Sequence, residues 1–83
     1  SKIDYVFLDG GHAYETVKND LNYSKSVLDN NGTILCDDYN LSYAPGVKKA
    51  IDEFIEHNDV KSEILFDRFV KIKKINLWPQ NIF

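Results

Sequence analysis

Ile3-Asp4-Tyr5-Val6-Phe7-Leu8-Asp9, followed by Gly10-Gly11, decides the fold. From Tyr5 to Leu8 every residue is apolar, without the alternation of a half-exposed strand. Such a run predicts a strand covered on both faces, as in a parallel sheet. The glycine pair ends it. Downstream the period changes: Tyr14, Val17, Leu21, Ser24 and Leu28 are spaced 3, 4, 3 and 4, one face of a helix from about Tyr14 to Asp29. Lys18, Asn19, Asn22 and Lys25 fall on the other face. Asn30-Asn31-Gly32 reads as a helix stop, with residues that tolerate the left-handed cap conformation.

Thr33-Ile34-Leu35-Cys36-Asp37-Asp38 is a second short buried strand, ending in two acids. After a loop from Tyr39, Val47, Ala50, Ile51, Phe54 and Ile55 mark a second helix, with Pro45 at its entrance. That helix ends at His57-Asn58-Asp59. Ser62 to Phe66 and Phe69 to Ile75 are β-rich, joined by Asp67-Arg68 as a hairpin without the favoured glycine. Lys71, Lys73 and Lys74 suggest an exposed edge. The order strand, helix, strand, helix, strand, strand predicts an α/β fold: parallel strands with right-handed crossovers, then an antiparallel hairpin.

Composition sets the outer limits. The chain has 83 residues, 43% hydrophobic and 28% charged, which suits one soluble globular unit. A chain of this size buries only about 60–65% of its unfolded surface. Two or three parallel strands make a poor core, and there is no Met in the sequence. Residues 1–83 are therefore expected to be the C-terminal part of one longer domain. The net charge of −3 argues against a nucleic-acid or anionic-membrane partner. A single Cys makes no internal disulfide and no usual structural zinc site. A reducing cytoplasm is the expected setting.

In open α/β sheets, ligands bind beyond the carboxyl ends of the strands. The first strand delivers Asp9, then Gly10, Gly11 and His12. The second delivers Asp37 and Asp38. On neighbouring strands, these carboxylates and the imidazole converge on one rim. A hard cation such as Mg2+ would relieve the repulsion among the acids. A metal ion lowers the pKa of a bound hydroxyl, and an imidazole takes a proton near neutral pH. The plainer alternatives are Asp9 as a helix N-cap and the Asp37-Asp38 pair as solvated loop acids. Cys36 reads as a small buried strand residue, Tyr14 as core, and His57 as serving a helix dipole. Trp78-Pro79 suits packing or a partner contact. Lys48-Lys49 reads as solvated charge.

Three segments resemble class I S-adenosylmethionine-dependent methyltransferases. Asp4 to Leu21 is similar to the pattern D-x-V-F-[IL]-D-G-x-H-x-Y-E-x-V-x-x-D-L, and Asn31 to Tyr39 to the strand G-G-x-[IL]-x-x-D-D-Y. Gly46 to Phe54 is similar to the helix G-V-x-x-A-[VI]-x-E-F. The resemblance covers about residues 3–55. It implies a Rossmann-like methyltransferase fold, with this chain running from the fourth strand onward. It implies S-adenosylmethionine as methyl donor and a small-molecule acceptor. Catechol-type and macrolide-sugar O-methyltransferases carry a metal-binding Asp after the fourth strand and two further ligands after the fifth. Asp9, Asp37 and Asp38 stand at those positions. The sugar-modifying enzymes place a catalytic His three residues after the first Asp, where His12 stands; catechol-type enzymes have Lys there. The family's cofactor loop and ribose-holding acid belong to its first two strands, so no residue here is assigned to the donor. Two other readings compete. One is a receiver-like phosphoacceptor module centred on Asp9, although no Ser or Thr ends the next strand. The other is an inactive methyltransferase-like binding domain.

Overall fold

A computed structural model describes residues 3–9 and 11–75. It is a mixed α/β structure: β1 (Ile3–Leu8), α1 (Tyr14–Val27), β2 (Leu28–Cys36), α2 (Pro45–His57), β3 (Val60–Leu65) and β4 (Phe69–Lys74). The sheet order is β1-β2-β4-β3. β1 and β2 are parallel, and β4 runs antiparallel to both β2 and β3. No helix among the described residues is long and apolar enough to cross a membrane. The described chain stops short of Trp78-Pro79 and the rest of the tail.

Register divides the sheet into two faces. Val6 is opposite Ile34 and Ile34 opposite Ile72; Leu8, Cys36 and Val70 form the next row. These six side chains share one face. Val17 and Leu21 of α1, with Val47, Ala50, Ile51 and Phe54 of α2, join them in one core. The helical spacing of both apolar stripes is thus explained by burial against this face. Gly46 lets the helix starts meet, since a Cβ there would lie 2.9 Å from the Tyr14 backbone nitrogen. Tyr14 is half-buried and donates its hydroxyl to Glu53, while the ammonium groups of Lys18 and Lys49 lie over its ring.

The other face corrects the expectation of a strand covered on both sides. Ile3, Tyr5 and Phe7 are 45%, 53% and 48% exposed. Both helices contribute to the core on the opposite face, which leaves these three side chains about half exposed. β1 is also an end strand of the sheet.

Three local expectations are revised. α1 ends at Val27, and Leu28 is already extended at φ −78° and ψ 136°. Burial of Leu28, 1% exposed, draws the chain straight into β2. The expected left-handed stop at Asn30-Asn31-Gly32 is therefore not formed. The Leu28 carbonyl accepts a bond from Lys74 Nζ at 2.6 Å. Gly32 answers a close approach instead: a Cβ would meet the Leu28 side chain at 2.5 Å. The lysines of β4 do not mark an edge either, because β4 lies between β2 and β3. Lys71 and Lys73 stand on the face away from the helices, in the Phe7 and Tyr5 rows. Finally, the hairpin loop is Phe66-Asp67-Arg68. Arg68 N–H bonds the Leu65 carbonyl at 3.1 Å. Phe66 and Asp67 take positive φ, 56° and 53°, as in the turn type whose twist suits a hairpin.

Cys36 is buried, and desolvation pushes its thiol up to about 12. The thiolate is the reactive form. Cys36 should resist a thiol reagent at pH 8 in the folded protein and react fully in denaturant. Rapid native labelling of Cys36, located by mass spectrometry, would contradict this placement.

Candidate active site

The carboxyl ends of β1 and β2 lie level. Asp37 N–H bonds the Leu8 carbonyl at 3.0 Å, one step beyond the two strands. This bond sets Asp9 and Asp37 side by side. Asp38 follows with φ 63°, a left-handed conformation that Asp adopts more readily than most residues. Asp9, Asp37 and Asp38 each offer an oxygen, and these oxygens lie within 4.8 Å of one another. Asp9 does not cap the following helix, because the N-cap of α1 is Ala13.

His12, in the segment between β1 and α1, reaches the same rim. Its Nε2 lies 3.0 Å from Asp38 Oδ2. An ionised carboxylate only accepts, so Nε2 is the donor of this pair. The imidazole side chain is 46% exposed. The ring of Tyr43 meets it edge-on, with centroids 6.0 Å apart. All four residues singled out in the sequence are therefore brought together.

Asp37 differs from its neighbours in burial and pairing. Its Oδ1 accepts from Arg68 Nε at 2.8 Å and from Asp38 N–H at 2.6 Å; its Oδ2 accepts from Arg68 Nη2 at 3.2 Å. The guanidinium holds the Asp37 carboxyl below the usual carboxylate range. Burial works the other way, and the Asp38 N–H adds to the lowering. Asp37 is thus a buried, charge-paired acid and not a solvated loop residue.

The rim is tied to the rest of the fold through Tyr39 and Asn40. Tyr39 is buried and donates its hydroxyl to Asp52 Oδ1 at 2.6 Å. Burial, reinforced by the Asp52 carboxylate, raises its phenol above the ordinary tyrosine value. Lys48 bonds Asp52 at 2.9 Å and lies over the Tyr39 ring, so it is more than solvated charge. Tyr39 N–H bonds the Arg68 carbonyl at 2.9 Å, and Asn40 Nδ2 reaches both Asp67 carboxylate oxygens at 3.1 Å. The β3–β4 turn is therefore bound to the site loop.

Arg68 and Tyr43 are the two rim residues that the sequence pattern did not single out. Arg68 reads locally as a turn residue, and its partner is 31 positions away. Tyr43 lies in a loop without periodicity. Neither had a signal in spacing.

Asp9, His12, Asp37 and Asp38 and both parallel strands fall in one matched segment. Residues 1–39 match the model of a family described as a methyltransferase domain. This match supports a methyltransferase domain and a methyltransferase function in general. Such enzymes generally use S-adenosylmethionine. No curated protein matches the chain.

Proposed function

We propose that the chain is the C-terminal part of a class I S-adenosylmethionine-dependent methyltransferase domain. In this reading the full-length protein O-methylates a hydroxyl of a small molecule such as a sugar, assisted by Mg2+ or a similar cation. The observation that carries it is the convergence of Asp9, Asp37, Asp38 and His12 at the strand ends, inside the matched segment. The uncovered apolar row Ile3, Tyr5 and Phe7 supports a larger domain, because such a row costs stability while it faces water.

The carboxylates suit a hard cation in kind and in spacing. Oxygens on opposite sides of an ion lie at most about 5 Å apart at Ca2+ bond lengths and about 4 Å at those of Mg2+; the three acids lie within 4.8 Å, so Mg2+ would draw them closer together. Asp9 and Asp38 would hold the ion, joined by Asp37 if Arg68 yields it. When bound, such an ion lowers the pKa of a hydroxyl and orients it. A carboxylate rim also suits the cationic methyl donor, whose reactive group is a methyl on a positively charged sulfur.

His12 is the base in this scheme. Its Nδ1 takes the acceptor hydroxyl's proton as that oxygen bonds the methyl carbon. The carbon–sulfur bond breaks, and its electron pair stays on sulfur. Asp38 fixes the imidazole through Nε2 and stabilises its positive charge afterwards. Holding hydroxyl and methyl in line supplies much of the remaining rate.

Calorimetric titration of S-adenosylmethionine into the full-length protein tests this reading, with Mg2+ and then with a chelator. Saturable donor binding is expected. Absence of donor binding under both conditions would overturn the proposal.

A further inference from the structure

The geometry points to Arg68 as a built-in cation that competes with a divalent metal ion for Asp37. The inference rests on the metal-assisted reading above. Both Asp37 oxygens accept from the guanidinium, at 2.8 and 3.2 Å. A forked pair of this kind is among the stronger side-chain contacts and is directional. Asp37 Oδ1 accepts a third bond from Asp38 N–H. Little of the Asp37 acceptor capacity is left for a metal ion while Arg68 stays. The charge of Arg68 also acts on Asp38 and Asp9. One guanidinium therefore relieves the repulsion that a divalent ion would otherwise relieve.

The two partners differ in freedom to move. The Asp37 side chain is 7% exposed and that of Arg68 is 61% exposed. The acid is set by the strand end; the arginine reaches it from the surface. The Arg68 backbone stays tied through its own N–H and carbonyl to Leu65 and Tyr39. The guanidinium can thus leave Asp37 by side-chain rotation alone, with the turn in place. An ion entering at Asp9 and Asp38 gains the full use of Asp37 only by displacing it, which weakens cation binding.

The test is Mn2+ binding to the full-length protein, read from the electron paramagnetic resonance signal of free Mn2+. Arg68→Gln should tighten binding by at least about tenfold, since it removes a unit positive charge beside the ligands. Adding Asp9→Asn to Arg68→Gln should reverse the gain. Arg68→Lys, which keeps the charge and loses the fork, should tighten binding less than Arg68→Gln and serves if Arg68→Gln does not fold. Circular dichroism checks the fold of each variant. Equal or weaker Mn2+ binding in folded Arg68→Gln, including no binding in either protein, would overturn the inference. Donor titration answers the methyltransferase reading separately, so the two failures are distinguishable.

Discussion

The His12→Ala protein is expected to turn over about 10²–10⁴-fold more slowly than the parent, with donor affinity unchanged. That range is what a positioned general base contributes. His12 meets the geometric requirements. One ring nitrogen pairs with Asp38 at 3.0 Å, and the role of base falls to the other. The side chain is 46% exposed, so an acceptor hydroxyl can reach it. A structural histidine would show its loss in unfolding or in weaker donor binding. A catalytic one shows it in kcat. Steady-state kinetics with the cognate acceptor, paired with donor calorimetry, separates the two. Turnover within about twofold of the parent would remove His12 from the chemistry.

Leu21→Ala is expected to lower the unfolding free energy by about 2–5 kcal/mol. Leu21 is 0% exposed and belongs to the core shared by both helices, β2 and β4. Truncation loses the transfer energy of its methyl groups and leaves a void that rigid neighbours only partly fill. Tyr23 lies on the same helix and is 69% exposed. Tyr23→Ala should change stability by no more than about 0.5 kcal/mol. Denaturant titration of the full-length protein reads both. The Leu21→Ala midpoint should fall with the slope unchanged. A loss below about 1 kcal/mol would mean that the helix–sheet packing is looser than described.

Much of this architecture was legible in the residues. The stripe Val17, Leu21 and Ser24 and the stripe Val47, Ala50, Ile51 and Phe54 are buried at helical spacing. Asp9, Asp37 and Asp38 converge because parallel neighbouring strands end on the same side. The misreadings have physical causes. Asn30-Asn31-Gly32 looks like a helix stop because Asn and Gly tolerate positive φ. Gly32 is required there for lack of a side chain, a property that local sequence cannot separate from the first. Lys71 and Lys73 look like edge protection, yet solvent on one face of an interior strand selects the same residues. Arg68 was legible as a hairpin-turn residue but not as a partner of Asp37. Its role depends on a pairing across 31 positions, and a residue of any type at a turn tip is locally plausible.

The bond between the last hairpin and the first acids bears on how the chain is made. The ribosome delivers Asp37 before Arg68, and 31 residues separate them. At about 5–20 residues per second, the carboxylates emerge seconds ahead of their counter-charge. During that interval β1 and β2 can pair, but the rim holds three acids and one histidine with no guanidinium. The nascent site is therefore most acidic just before the hairpin docks. Completion of the candidate site is tied to the end of translation of this segment, and a chain truncated before Phe69-Val70 would keep the acids without the strand that holds their partner in place.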